Sequence, residues 1–244
     1  MKEVAHQINY DFEENYWWFK GRRKIIFDLI DRLCFCGSNP KVLDVGCGTG
    51  INMKYLQRYR QVLGVDVSMK ALKFCKSRGI NDLLQAQIEN LPFQEDRFDL
   101  ICALDILEHV EDDLKALCQL RRVCKKGGRL LITIPAFNFL WSGEDNVSEH
   151  KRRYTRHEIV AKAEAAGLKI EKATYFNAFL FPLVLLMIMI KRVFIPSSMN
   201  KSNVGKLPSI INAVLEPVFS SEAKIIRKFS LPFGTSVLIL AQKC

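Results

Sequence analysis

Val42-Leu-Asp-Val-Gly-Cys-Gly-Thr-Gly50 is the stretch on which the reading of this chain turns. A short apolar run passes directly into three glycines at alternate positions. A strand ending in spaced glycines lets a backbone turn pass close to a ligand at the carboxyl edge of a sheet. The spacing selects among ligands. Gly46, Gly48 and Gly50 form GxGxG, and the third glycine of a dinucleotide fingerprint would fall where Ile51 stands, so a diphosphate-binding loop is disfavoured. The sequence has no GxxxxGK[ST], which excludes a P-loop.

Strands and helices alternate outward from this stretch. A helix to about Arg60 leads to a second strand, Val62-Leu-Gly-Val-Asp66. Ser68 reads as an N-cap, with Ala71, Leu72 and Cys75 on one helical face and Gly79 as the stop. A weaker strand is expected near residues 82–86 and a fourth at residues 98–103, after a polar turn. Glu111-Asp-Asp113 opens the next helix, and Lys125-Lys126 closes it before Gly127-Gly128, charges placed as the helix dipole prefers. Residues 129–134 form a fifth strand. Thr155-Arg-His-Glu158 is a capping box whose helix stops at Gly167, and residues 168–175 and 235–241 supply the last two strands. Upstream, Tyr16-Trp17-Trp18-Phe19 precedes Arg22 and Arg23. Ile25, Ile26, Leu29, Ile30 and Leu33 then mark an amphipathic helix within residues 10–35 that ends at Gly37-Ser-Asn-Pro40. This alternation predicts an α/β fold, a doubly wound parallel sheet with helices on both faces.

At 244 residues and 49% hydrophobic, the chain suits one large domain with an insertion and is not generally disordered. Its 36 basic and 26 acidic residues leave +10, which favours anionic partners without choosing among nucleic acid, acidic head groups and phosphorylated substrates. None of the eight cysteines forms a CxxC pair. Cys34-Phe-Cys36 is a lone CxC, so no metal site is expected, and buried free thiols in a reducing cytosol fit better. The first residues show no apolar core of a secretory signal, so a cytoplasmic location is expected. The alternating rhythm breaks at residues 177–232. Residues 178–190 are thirteen in a row without a charge, contain Pro182 and precede Lys191-Arg192; a membrane-crossing helix needs about 20. From residue 177 to the end, eight basic residues face two acidic ones, a balance of +6. The expected organisation is a helical cap (1–37), a ligand-binding domain (38–176), an apolar and basic helical insertion (177–232) and a final strand (233–244).

The ordered set of motifs resembles the class I S-adenosylmethionine-dependent methyltransferases. Asp44-Val-Gly-Cys-Gly-Thr-Gly50 looks like their first motif, and the likeness continues through Gly64-Val-Asp66-Val-Ser68, Glu89-Asn-Leu-Pro-Phe93, Phe98-Asp-Leu-Ile-Cys-Ala-Leu-Asp105, Leu107-Glu-His-Val110 and Lys125-Lys-Gly-Gly-Arg-Leu-Leu-Ile132. It covers roughly residues 40–175. The resemblance implies a Rossmann-like, doubly wound, mostly parallel sheet of seven strands, the last antiparallel, with a helical insertion before it. It implies S-adenosylmethionine as the cofactor. Asp44, Gly46, Gly48 and Gly50 would face its methionine part, Asp66 would accept both ribose hydroxyls, and Val67 would pack beside the adenine. Gln87 stands where the family often has an acidic residue toward the adenine amine, Ile88 would add an apolar wall, and Leu104 would line the methyl-bearing end. The other reading of Asp44 and Asp66 is turn chemistry at strand ends.

Methyl transfer from a sulfonium needs positioning and desolvation, and a base only where the acceptor must lose a proton. Two histidines are candidate bases. His109 follows the fourth strand, where its surroundings also read as the start of a helix; His150 lies in Ser148-Glu-His-Lys-Arg-Arg-Tyr154, after the fifth. Trp141, Arg152 and Arg153 are candidate acceptor contacts, able to grip a phosphate or carboxylate, or with Lys151 merely a solvated charge run. The Tyr16–Arg23 stretch resembles an aromatic cap of some bacterial members, covering the cofactor or simply packing in the core. The leading function is methylation of a small-molecule or lipid-linked acceptor, with residues 177–232 on an anionic membrane surface as a peripheral contact on its inner face. RNA or protein methylation is the second reading; the Asn-Pro-Pro-Tyr type tetrapeptide is missing after the fourth strand, where Ala103-Leu-Asp-Ile106 stands, and nucleic acid is not an expected partner. A non-catalytic cofactor-binding scaffold is the third.

Overall fold

The structure, a computed structural model, describes residues 3–33, 35, 39–59 and 61–244. The Cys34-Phe-Cys36 pair and the Gly37-Ser38 helix stop fall outside them. The strands are β1 (Lys41–Val45), β2 (Gln61–Asp66), β3 (Leu83–Gln85), β4 (Phe98–Leu104), β5 (Cys124–Pro135), β6 (Leu168–Phe176) and β7 (Ser236–Lys243). They form one sheet in the order β3-β2-β1-β4-β5-β7-β6, mostly parallel with one antiparallel pair. From β1 the chain builds β2 and β3 on one side and β4 and β5 on the other, so the order reverses between β1 and β4. Strands covered on both faces are apolar along their length. Accordingly Val42 to Val45 and Leu100 to Leu104 are buried without interruption.

The helices are α1 (Glu3–Phe12), α2 (Trp17–Ile30), α3 (Ile51–Leu56), α4 (Met69–Ser77), α5 (Asp113–Val123), α6 (Gly143–Ser148), α7 (Arg156–Ala165), α8 (Phe181–Phe194) and α9 (Ser209–Ile226). The chain gathers into two compact units. A sheet unit comprises Cys34–Ile134, Thr155–Ala173 and Leu238–Cys244, and a helical unit comprises Met1–Leu33, Pro135–Tyr154 and Thr174–Val237.

In the sheet unit the local signals act as read. The Ser68 hydroxyl accepts from the Ala71 amide at 3.3 Å and starts α4, whose buried residues are Ala71, Leu72 and Cys75. Thr155 and Glu158 close both halves of the capping box of α7. Two elements differ from expectation. α3 is a helix of six residues ending at Leu56, short of Arg60. α5 ends at Val123, and Lys125-Lys126 stands at the start of β5 instead of at a helix end. Lys125 Nζ donates to both carboxylate oxygens of Asp99 at 2.8 Å, a partner that the neighbouring β4 supplies.

In the helical unit, the helix expected within residues 10–35 is α2, which the aromatic cluster opens, and a helix not read from the sequence, α1, precedes it. α2 lies closely on α9. A Cβ on Gly21 would sit 2.3 Å from the Phe219 ring, so only glycine permits this approach. Phe219 stacks on Phe176 at 6.1 Å between centroids and meets the Trp17 ring edge-on at 5.9 Å. The Trp17 amide donates to Asn212 Oδ1, and Lys20–Glu216 and Arg227–Asp28 ion pairs stand along the same helix pair. Trp17 of the aromatic cluster is thus packed in this unit's own core, while Trp18 and Phe19 are half-buried. The apolar run from residue 178 becomes α8, with Pro182 in its first turn, where no amide partner is lost. Glu222 of α9 accepts from the Phe179 amide at 2.8 Å just before α8; burial raises its pKa although the amides of residues 177–179 pull it down. Among the described residues no helix is long and apolar enough to cross a membrane.

Candidate cofactor site and candidate acceptor-side residues

The carboxyl ends of β1, β2 and β4 lie together, since Val45 pairs with Val65 on one side and with Ala103 on the other. The glycine loop leaves β1 at this edge, over the point where strand order reverses, the place where open α/β sheets bind ligands. The amides of Gly46 and Cys47 both donate to the Val65 carbonyl, at 2.7 and 3.0 Å, tying the loop to β2. Cys75 of α4 supports it from below, its thiol donating to the Gly48 carbonyl at 3.2 Å. All three glycines have positive φ, +70°, +57° and +87° at Gly46, Gly48 and Gly50. Their surroundings differ. A Cβ on Gly46 would meet the Ile106 side chain at 2.8 Å and one on Gly50 would meet the Cys75 sulfur at 2.9 Å, whereas one on Gly48 would find only the Gly46 carbonyl oxygen, at 4.0 Å. Gly48 therefore turns a bare backbone toward open space.

Asp66, buried at the end of β2, is joined to this loop. Its Oδ2 accepts from the Gly48 amide at 2.9 Å and its Oδ1 from the Ser68 amide at 2.8 Å. Each oxygen keeps a second acceptor position, enough for the two donors of a vicinal diol. Beyond it Val67 and Met69 are exposed apolar side chains, and Gln85 Nε2 fixes the Val67 carbonyl at 2.9 Å. Gln87 is exposed and Ile88 buried at the start of a short 3₁₀ turn, and Leu104 is buried as the last residue of β4. Asp44 is buried at the β1 end. Buried carboxylates at Asp44 and Asp66 repel a phosphate and suit a ligand that carries an ammonium, a sulfonium and a ribose. The residues present fit S-adenosylmethionine on these grounds.

One residue here escaped the sequence reading. Asp105, directly after β4, has φ +58°, a strained conformation for a residue other than glycine, and accepts from the Thr133 hydroxyl at 2.9 Å. An acidic residue just past a strand of the binding edge was the available signal. His109 ends the 3₁₀ turn Leu107–His109, which follows Asp105.

The remaining candidates belong to the helical unit and centre on a residue the sequence reading did not single out. Asp145, fully buried on α6, accepts from the Ser142 amide at 2.7 Å, from Arg153 Nε and Nη2 at 2.7 and 2.8 Å, and faces His150 Nδ1 at 2.9 Å. Burial pushes its pKa up, but the bonds from His150 and Arg153 outweigh it and hold the carboxyl below the usual range. Arg153 also donates to the Ala136 carbonyl at 3.0 Å, so its fork is spent within the protein. Trp141 Nε1 donates to Asn146 Oδ1 at 2.9 Å, and Arg152 is half-buried.

Residues 43–132 match the family described as a methyltransferase domain. An uncharacterised protein of Methanocaldococcus jannaschii is 28% identical over 169 residues, which are 66% of this chain and 80% of that protein. A "probable S-adenosylmethionine-dependent methyltransferase" of Mycolicibacterium smegmatis is 24% identical, over 65% of this chain and 62% of its own. The crystal structure of the YcgJ protein of Bacillus subtilis shares the fold with a TM-score of 0.58 at 20% identity, over 91% of this chain and 98% of its own. Residues 43–132 carry a methyltransferase domain, and these likenesses support the class I S-adenosylmethionine-dependent methyltransferase superfamily. S-adenosylmethionine is its cofactor and methyl transfer its class of reaction.

Proposed function

We propose that this protein methylates a small-molecule or lipid-linked acceptor, with the cofactor held by the sheet unit alone. The observation that supports this reading is the bare flank of Gly48 beside the Asp66 carboxylate. S-adenosylmethionine supplies a methyl group already activated on sulfur. Gly46, Gly48, Gly50 and Asp44 take its methionine part, Asp66 accepts from its ribose hydroxyls, and Val67, Gln87, Ile88 and Leu104 enclose the rest. These residues orient and desolvate, which for this chemistry supplies much of the rate.

Proton removal from a hydroxyl or amine acceptor falls to a histidine. His150 is the better oriented, its Nδ1 lying 2.9 Å from the buried Asp145 carboxylate. His109 serves as the alternative. Arg152 and Trp141 are acceptor contacts in this reading, whereas Arg153 positions Asp145. The exposed apolar helix α8 and the surplus of basic residues after residue 177 favour the lipid-linked branch and a peripheral site at a cytoplasmic membrane face.

Extracts of cells with and without the protein, given S-adenosylmethionine labelled in its methyl group, test the reading. Label entering a lipid-soluble or small polar product supports it. Label entering RNA or protein instead would replace it, and tight cofactor binding without transfer to any extract would make the chain a cofactor-binding scaffold.

A further inference from the structure

α8 carries its apolar residues on the outside. Leu183, Leu186, Met187, Ile190, Val193 and Phe194 are all exposed, at spacings of three and four that make one stripe. Val193 and Phe194 are 67% and 77% exposed, and the buried residue of the helix is Ile188, on the other side of the helical wheel. α9 repeats the arrangement as far as Val218. Ile210, Ile211, Val214 and Val218 are exposed, while Phe219, Ala223 and Ile226 are buried. A surface helix ordinarily turns its polar residues to water. Two helices that do the reverse within one unit mark an interaction surface.

The charges of the same segment indicate what covers it. Lys201, Lys206, Lys224 and Lys228 are exposed. Its two carboxylates offset little of this, because Glu216 is paired with Lys20 and Glu222 is buried. An apolar face among uncompensated lysines is complementary to an anionic lipid surface. A second copy of this chain fits less well, since it would set one surplus of positive charge against another. With fourteen residues, α8 is about 21 Å long and suited to lying in the head-group plane. We propose that the exposed faces of α8 and α9 dock this protein on an anionic bilayer, the stripe among the acyl chains and the lysines at the head groups. The docking rests on the preceding reading only in that it would bring the protein to a lipid-linked acceptor; the binding itself is independent of methyl transfer.

Co-sedimentation of the full chain with vesicles of equal parts phosphatidylglycerol and phosphatidylcholine, at low and high salt, tests this. The expected result is binding at low salt, loss at high salt, and little binding to phosphatidylcholine alone. Lys224→Ala with Lys228→Ala should weaken partitioning about fivefold for each charge removed. Leu186→Ser with Val193→Ser should abolish it while leaving the circular dichroism spectrum unchanged. No sedimentation at low salt, or equal binding to both vesicle types, would overturn the proposal. So would a dimer in lipid-free light scattering that Leu186→Ser with Val193→Ser converts to monomer, which would assign the face to a second copy. S-adenosylmethionine calorimetry on the same preparation reads the methyltransferase assignment separately.

Discussion

The two units are held together on different length scales. In the sheet unit the bonds that shape the cofactor edge are local: Asp66 reaches Gly48, 18 residues away, and Ser68, two away. In the helical unit the ties between α2 and α9 join residues nearly 200 apart, Trp17 to Asn212, Lys20 to Glu216 and Asp28 to Arg227. A binding edge built from neighbouring motifs keeps its geometry however the rest of the chain varies. A helix pair joined by distant contacts depends on the whole length of the chain between them.

If that division is right, damage to the two units should separate. The largest expected effect is on stability in the helical unit. Asp145→Asn removes the charge that the buried Arg153 fork depends on, and should cost about 3–5 kcal/mol in urea unfolding while S-adenosylmethionine affinity stays unchanged. Loss of cofactor affinity in that variant would break the comparison. The same pair sets a pH dependence. The folded pKa of Asp145 lies below the unfolded value of about 3.9, so its contribution is complete above that value and is lost as pH falls below it. Melts of Asp145→Asn should accordingly lose less stability than the parent on acidification below about pH 4. Smaller, and confined to the sheet unit, is Asp66→Ala, which should weaken S-adenosylmethionine binding by about 1.5–3 kcal/mol in calorimetry. Unchanged affinity would remove the ribose from Asp66. The smallest effect is Gly21→Ala, whose methyl falls on the Phe219 ring and should cost about 1–3 kcal/mol in thermal unfolding, part of it recovered by Phe219→Leu. A neutral Gly21→Ala would show that α2 and α9 do not approach as described.

What could be read from the sequence follows the same division. Ser68 and the Thr155–Glu158 box act within four residues, and a capping pattern reveals them. Lys125-Lys126 reads as a helix end because lysines before two glycines suit one as well as they suit a strand start; Asp99, a neighbour only once β4 and β5 pair, decides for the strand. Asp105 depends in the same way on Thr133 of the adjacent strand. In the helical unit the missed helix α6 is six residues long, and its capping box uses Asp145 where the common pattern has Glu or Gln. His150 and Arg153 follow Asp145 by five and eight residues and lie in the irregular stretch after α6, so the cluster appears only in the fold. The apolar run of residues 178–190 was visible as a run, but which face of α8 meets water was not, because Ile188 and Leu186 differ only in what the rest of the unit covers.

We propose that S-adenosylmethionine lies along the open flank of Gly48. Titration calorimetry of S-adenosylmethionine into the parent and Gly48→Val tests it most directly. The valine meets no protein atom closer than 4.0 Å at its Cβ, so the fold should survive with about 1–2 kcal/mol lost to the positive φ. Saturable binding to the parent and no detectable heat from the folded variant are expected. Parent-like affinity in Gly48→Val would contradict that placement.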